Sequence, residues 1–265
     1  LKNNIIILII LFGITIGFSS CNTVKYVDEN EHLLTKNTIY VNEKKDVSDE
    51  INDYIVQRPN QLVLGIPLPL HFYNIGNKNY ESDYDLWKID NANSYKFTKR
   101  IFSEKQTFGL RKFKSKVHAW WLSNGEAPII LDANKTQQTL NNLRQYYLNE
   151  GYYKVSVSAK NNLYKKSKAT VDYYVDTNKP YTLDSVLTNI ESKVLDSIYK
   201  NSEQESFIKT GNQFKFSYFL DEQNRLTRLF RNSGIYRFTK NAINFEADST
   251  NAEYKSDVTI IINDS

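Results

Sequence analysis

Asn141-Asn142-Leu143-Arg144-Gln145-Tyr146-Tyr147-Leu148-Asn149-Glu150-Gly151-Tyr152-Tyr153-Lys154-Val155 returns, 83 residues on, as Asn224-Arg225-Leu226-Thr227-Arg228-Leu229-Phe230-Arg231-Asn232-Ser233-Gly234-Ile235-Tyr236-Arg237-Phe238. Leu143 meets Leu226, Tyr147 meets Phe230, Asn149 meets Asn232 and Tyr153 meets Tyr236. A shared order of apolar, polar and glycine positions at one offset marks an internal repeat, each copy a structural unit. Leu140, Leu143 and Tyr147 fall at i, i+3 and i+7, and Phe219, Leu226 and Phe230 at i, i+7 and i+11, so each copy predicts an amphipathic helix. Gly151 and Gly234 stand where the stripes end, as helix-terminating turns, because glycine readily takes the left-handed conformation that closes a helix.

Outward from the glycines the two copies keep the same order. After Gly151, Tyr153, Val155 and Val157 alternate with Lys154, Ser156 and Ser158, which predicts a strand with one buried face. A polar turn around 161–167 leads to a second alternating run, 170–175, answered in the other copy by 258–262. Upstream, Thr38-Ile39-Tyr40-Val41 reads as a strand, and Ser48 is placed to cap a helix bearing Ile51, Tyr54 and Ile55 that Pro59 stops. In the second copy 181–187 is the strand, and Val194, Leu195 and Ile198 begin the helix. The fold class expected is α+β: tandem β-α-α-β-β modules, each a small three-stranded sheet packed on two helices. The first module, 21–180, carries a long helical insertion at about 62–130, and the second spans 181–265. Within the insertion Leu110, Phe113, Val117 and Trp120 mark a helix, and 74–93, rich in Asn, Asp and Tyr, reads as an exposed loop.

The N-terminus addresses the chain. Lys2-Asn3-Asn4, the apolar run Ile5 to Phe18 and Ser19-Ser20 before Cys21 predict a secretory signal peptide over 1–20. The run is short for an uncleaved anchor helix, which needs about 20 residues. Cys21 is the only cysteine, so no disulfide can form within the chain and hydrophobic cores must hold the fold. The 34 basic and 30 acidic residues give +4 with no basic stripe evident over the chain, which argues against a nucleic-acid partner.

Phe18-Ser19-Ser20-Cys21 resembles the lipobox of bacterial lipoproteins, which implies Cys21 as the lipid-attachment residue. The doubled β-α-α-β-β unit resembles the POTRA domain, the periplasmic module of the BamA/TamA superfamily of outer-membrane assembly proteins. More narrowly the chain is similar to the lipoprotein branch known as TamL. That likeness is carried by 26–34 (from Tyr26 to Leu34), Arg58-Pro59-Asn60, 64–68, Tyr73-Asn74 and 125–132 (from Gly125 to Asp132). Arg225, Leu226 and 231–234 add to it in the second copy. Members of the family end in a transmembrane β-barrel, whose many alternating strands are not found here, so the sequence reads either as a piece of a longer protein or as a lipoprotein made of such modules alone.

The resemblance implies a non-enzymatic assembly or translocation factor, lipid-anchored at the outer membrane with its modules in the periplasm. The implied partners are outer-membrane client polypeptides and a TamB-like protein. A three-stranded sheet leaves an unpaired edge to which an extended segment can add. The resemblance places that edge after the long helix, at 153–159 and 236–243, which makes Tyr153, Val155, Val157, Tyr236 and Phe238 candidate partner-binding residues. The inward half of those residues could equally be core. His32, His71 and His118 show no ligand spacing, and no nucleophile elbow, phosphate loop or paired-cysteine motif is present. No catalytic, cofactor-binding or metal-binding residues are therefore expected. Trp120-Trp121 could dock a partner or lie buried beneath the first module. The alternative to the assembly reading is a surface lipoprotein that binds glycan or another envelope ligand through exposed Tyr and Trp, though it leaves the repeat unexplained.

Overall fold

A computed structural model describes residues 23–263 apart from 166 and 251. Cys21 and the leader lie outside the described residues. In chain order the elements are β1 (Leu33–Val41), β2 (Lys44–Asp46), α1 (Asp49–Asn52), α2 (Leu68–Ile75), α3 (Tyr80–Asp90), α4 (Ala92–Ile101) and α5 (Glu104–Asn124). There follow α6 (Ala133–Asn149), β3 (Ser156–Tyr164), β4 (Lys168–Asp176), β5 (Thr182–Ile190), α7 (Lys193–Lys200), α8 (Phe216–Asn232), β6 (Ile243–Asp248) and β7 (Lys255–Ile262). With the insertion α2–α5 and the three-residue β2 set aside, the order is β-α-α-β-β in both halves, the predicted α+β class. One sheet runs β2-β1-β4-β3 and the other β5-β7-β6. The first sheet has a strand more than expected: Asn42 and Glu43 both take positive φ and close a two-residue hairpin that lays β2 against β1. By contacts the described residues divide into two compact units, one holding 57–133 with 23–37 and 161–171, the other 38–56, 134–160 and 172–263.

In the second unit both predicted stripes face the core, with Leu140 only partly covered. Leu143 and Tyr147 on α6, and Phe219, Leu226 and Phe230 on α8, are withdrawn from solvent. Each such side chain contributes about 1.5–3 kcal/mol by leaving water. The α6 stripe extends further back than its apolar residues suggest, because Thr136 and Thr139 are also buried and bond the hydroxyl of Tyr173 on β4. The β5-β7-β6 sheet is mixed, β5 pairing with β7 in parallel and β6 antiparallel. It packs with α7 and α8 around Leu183, Leu195, Val258 and Ile260. Glu222 stands in the α8 stripe, fully buried, and is matched by the Arg225 guanidinium in a two-point pair at 2.6 and 2.9 Å. Ser48 departs from expectation: its hydroxyl bonds Asp46 instead of capping α1, which is one turn long.

In the first unit the residues behind the TamL-like resemblance meet at the foot of the insertion. The amides of two buried side chains clasp the 127–132 segment. Gln57 donates to the Ile130 carbonyl at 2.6 Å and accepts from Asp132 N–H, and Asn60 donates to the Ala127 carbonyl and accepts from Ile129 N–H. Leu34 N–H and the His32 carbonyl bond the same segment at Ile129 and Leu131. Gly125 lies so close to the Tyr73 backbone that any Cβ there would collide with it. These motifs are thus a structural clasp. Above it, the stretch 74–93 is helical through most of its length and not the loop expected: Tyr80, Tyr84 and Trp87 share a face of α3, while Glu81 and Asp85 both reach Arg111 on α5.

Candidate functional site

The two repeated helices, α6 and α8, end in the same atomic device. Tyr152 N–H bonds the Tyr147 carbonyl and Gly151 N–H the Leu148 carbonyl; Ile235 N–H bonds Phe230 and Gly234 N–H bonds Arg231. These are Schellman caps, with φ of +86° at Gly151 and +97° at Gly234. One further bond repeats, Val155 to Tyr152 and Phe238 to Ile235, so the chain leaves each cap by the same turn.

The turn fixes where the candidate residues fall. Tyr153 and Val155 precede β3, and Tyr153 is half exposed between the rings of Tyr181 and Phe214, at 5.3 and 5.4 Å. That partial burial pushes its hydroxyl up to about 12. Val157 lies within β3, partly covered. Tyr236 is 83% exposed, whereas Phe238 is 1% exposed, packed on Phe230 at 4.7 Å. Phe238 is therefore core, and the Arg231 guanidinium bonds its carbonyl at 2.8 Å. A one-turn helix at Lys240–Ala242 delays the second strand, so β6 begins at Ile243, where the expected edge segment ends.

Sheet order makes terminal strands of β2, β3, β5 and β6, of which β3 and β6 follow the long helices α6 and α8. They are not equivalent. β6 is six residues long, carries Glu246 and Asp248, and is drawn into a turn where Thr250 bonds the Asp248 carboxylate through both N–H and hydroxyl, holding it below the usual carboxylate range. Short, charged strands discourage pairing. β3 is nine residues long, with Lys160 its one charge. Ser156 and Ser158 border an open groove of about 690 Å³ whose floor includes the stacked rings of Tyr40 and Tyr174, 5.2 Å apart and nearly parallel. A terminal strand open on one edge, beside an aromatic trough, can pair with an extended chain and receive its alternate side chains. The groove was not evident in the sequence, since its tyrosines come from strands far apart in the chain.

Among the described residues no group of three or more His, Cys, Asp or Glu side chains is gathered as a metal would need. His71 is buried, and desolvation with nearby Lys168 keeps its pKa below the ordinary histidine value. His118 lies against the Tyr80 ring at 4.6 Å. No helix of the described residues is long and apolar enough to cross a membrane.

No protein-family model matches the chain, and no curated protein does. Solved structures resemble it. POTRA domains 3–5 of BamA from Haemophilus influenzae are 15% identical, over 90% of this chain and 69% of that one, with a TM-score of 0.36. POTRA domains 1–2 of the periplasmic domain of Omp85 from Anabaena are 10% identical, over 90% and 99%, with a TM-score of 0.31. BamA from Haemophilus ducreyi lacking POTRA domains 1–3 is 13% identical over 53% of this chain and 25% of that one, with a TM-score of 0.34. On this chain's own topology the fold is α+β, two β-α-α-β-β modules with matching helix caps.

Proposed function

We propose that this chain is the polypeptide-handling part of an outer-membrane protein assembly or translocation factor, similar to TamL, that binds clients by strand addition at β3. One observation carries the reading: a nine-residue terminal strand with a single charge, beside the Tyr40–Tyr174 trough. Main-chain pairing supplies affinity with little sequence demand, which suits varied unfolded clients. On this reading the modules work in the periplasm, and a TamB-like protein is the expected inner partner.

Proline tests the edge. Ser156 is the first residue of β3, where proline is best tolerated by the sheet. Ser156→Pro is expected to keep the circular dichroism spectrum and to lose crosslinking to an unfolded outer-membrane polypeptide. A folded variant that crosslinks as before refutes strand addition at β3. We assign Cys21 as the lipid-bearing residue of the mature chain, with residues 1–20 as its signal peptide. Cys21→Ser is then expected to move the protein from the membrane pellet to the soluble fraction, and a variant still wholly in the pellet overturns the assignment.

A further inference from the structure

The helices α3, α4 and α5 are built inside out. None carries a buried residue. Toward one another they turn ions. Arg111 meets Glu81 at 2.5 Å and Asp85 at 3.0 Å and lies over the Tyr84 ring, and Lys99 meets Glu104 at 2.7 Å. Toward solvent they turn hydrocarbon: Ile89 is 73% exposed, Phe97 62% and Phe113 63%, with Ile101 and Trp120 also exposed. On α5, Leu110, Phe113, Val117 and Trp120 recur at i, i+3, i+7 and i+10 and form one stripe. Arg111 and His118, which meet α3, lie on the other side. A helix of a water-soluble domain places these groups the other way round.

Charge identifies what covers this surface. The near balance of the whole chain fails locally: α3 carries four acids and one lysine, but between residues 92 and 124, over α4 and α5, there are eight lysines and arginines and one acid, Glu104. Seven of them, Lys96, Lys99, Arg100, Lys105, Lys112, Lys114 and Lys116, are exposed. A second copy would bring the same cations face to face. Phe and Trp flanked by Lys and Arg are the composition of helices that lie in a bilayer interface, rings at the acyl boundary and ammonium groups on anionic headgroups. α5 has 21 residues and is about 31 Å long. Its charges nevertheless exclude it from the hydrocarbon core, so it must lie along the surface.

We propose that the α3–α5 arm is a membrane-surface element that beds into a bilayer bearing anionic phosphate headgroups. Its foot is tied to the start of the described chain. Lys25 donates to the carbonyls of Asn74 and Gly76 at 2.7 and 2.9 Å, and the Tyr26 hydroxyl donates to Gly76 at 2.6 Å. On the reading that Cys21 carries the lipid, the anchor emerges within about 18 Å of that foot, five residues at full extension. The arm's own chemistry supports the proposal without that reading.

The test uses the chain from Asn22 onward, which holds every described residue but neither the apolar leader nor Cys21, so its failure is distinct from failure of lipidation. All three tryptophans, Trp87, Trp120 and Trp121, lie in the arm, so intrinsic emission reports on it directly. With vesicles of equal parts phosphatidylglycerol and phosphatidylcholine, the protein is expected to co-sediment and its emission to shift to the blue, both weakening as salt is raised. With phosphatidylcholine alone neither is expected. Replacing Lys112, Lys114 and Lys116 together by Gln is expected to lower partitioning about a hundred-fold, at about five-fold per charge. The pair Phe113→Ser and Trp120→Ser is expected to lower it at least about ten-fold. Both variants alter exposed residues and should melt as the parent does. Absence of binding to anionic vesicles, or binding indifferent to both variants, overturns the proposal. So does a dimer in ultracentrifugation that Phe113→Ser and Trp120→Ser dissolve in a protein that ignores vesicles.

Discussion

Gly151 and Gly234 close equivalent helices through the same hydrogen bonds, yet alanine should not cost the same at both. Each has a left-handed φ, which a side chain adopts at a cost of about 1–2 kcal/mol. At Gly234 the new methyl meets open space. At Gly151 it drives into the carbonyl oxygen of Phe214, a main-chain atom that cannot swing aside. The Phe214 segment is held in place, since its N–H bonds the Tyr181 carbonyl, Tyr181 N–H bonds the Gly151 carbonyl, and the Gln213 amide bonds Glu150. Gly234→Ala is expected to lose about 1 kcal/mol, part of the strain being offset by a stiffer unfolded chain. Gly151→Ala is expected to lose at least about 3 kcal/mol, the clash adding to the same strain. Urea unfolding of the two variants, with slopes unchanged, reads the difference. Equal losses would show that the 214 segment yields, and that the close approach holds nothing in place.

Elements with one buried face were legible in the sequence. α6, α8, β4 and β7 each bury one side, so the period survives in the order of residues, and the repeat located both caps. What escaped depended on partners distant in the chain. α3 looked like loop because Asn, Asp and Ser disfavour helix locally, but its acids are neutralised by Arg111, 26 and 30 residues on, and that ion cluster stabilises the helix from outside. Gln57 and Asn60 are ordinary polar residues until 127–132 arrives to receive their amides. The stripe of α8 was read with a gap at Glu222, which becomes a core residue only when Arg225 pairs with it. The strand after α6 stands a few residues later than its alternation suggests, at Ser156–Tyr164 and not 153–159, because the turn out of the Gly151 cap takes up Tyr153 and Val155. β6 was displaced by the short helix at Lys240–Ala242, and the Tyr40–Tyr174 trough was missed because cross-strand neighbours leave no trace in local order.

For the molecule as a whole, the fold and the arm make separate claims on the sequence. Every residue that builds the sheets' cores lies outside 78–117: Leu33, Ile39, Leu143, Tyr173, Leu226 and Val258 are all buried, and α3, α4 and α5 bury nothing. The arm's ends also meet, since a Cβ placed on Gly76 would lie 3.1 Å from the His118 carbonyl. A chain that evolved only to fold would have little reason to keep some 40 residues that expose Phe, Ile and Trp, since such surface invites aggregation. Excising 78–117 and bridging 77 to 118 with a short Gly-Ser linker should therefore leave both sheets in place. The expected midpoint of thermal unfolding lies within a few degrees of the parent's, because no buried apolar group is removed and closing a short loop changes stability by less than about 1 kcal/mol. Solubility should rise as the apolar surface goes. Calorimetry on the excised chain decides it: a broad or much lowered transition would mean that the arm's ion pairs and rings support the two β-α-α-β-β modules, and that its outward hydrocarbon is tolerated for the sake of the fold.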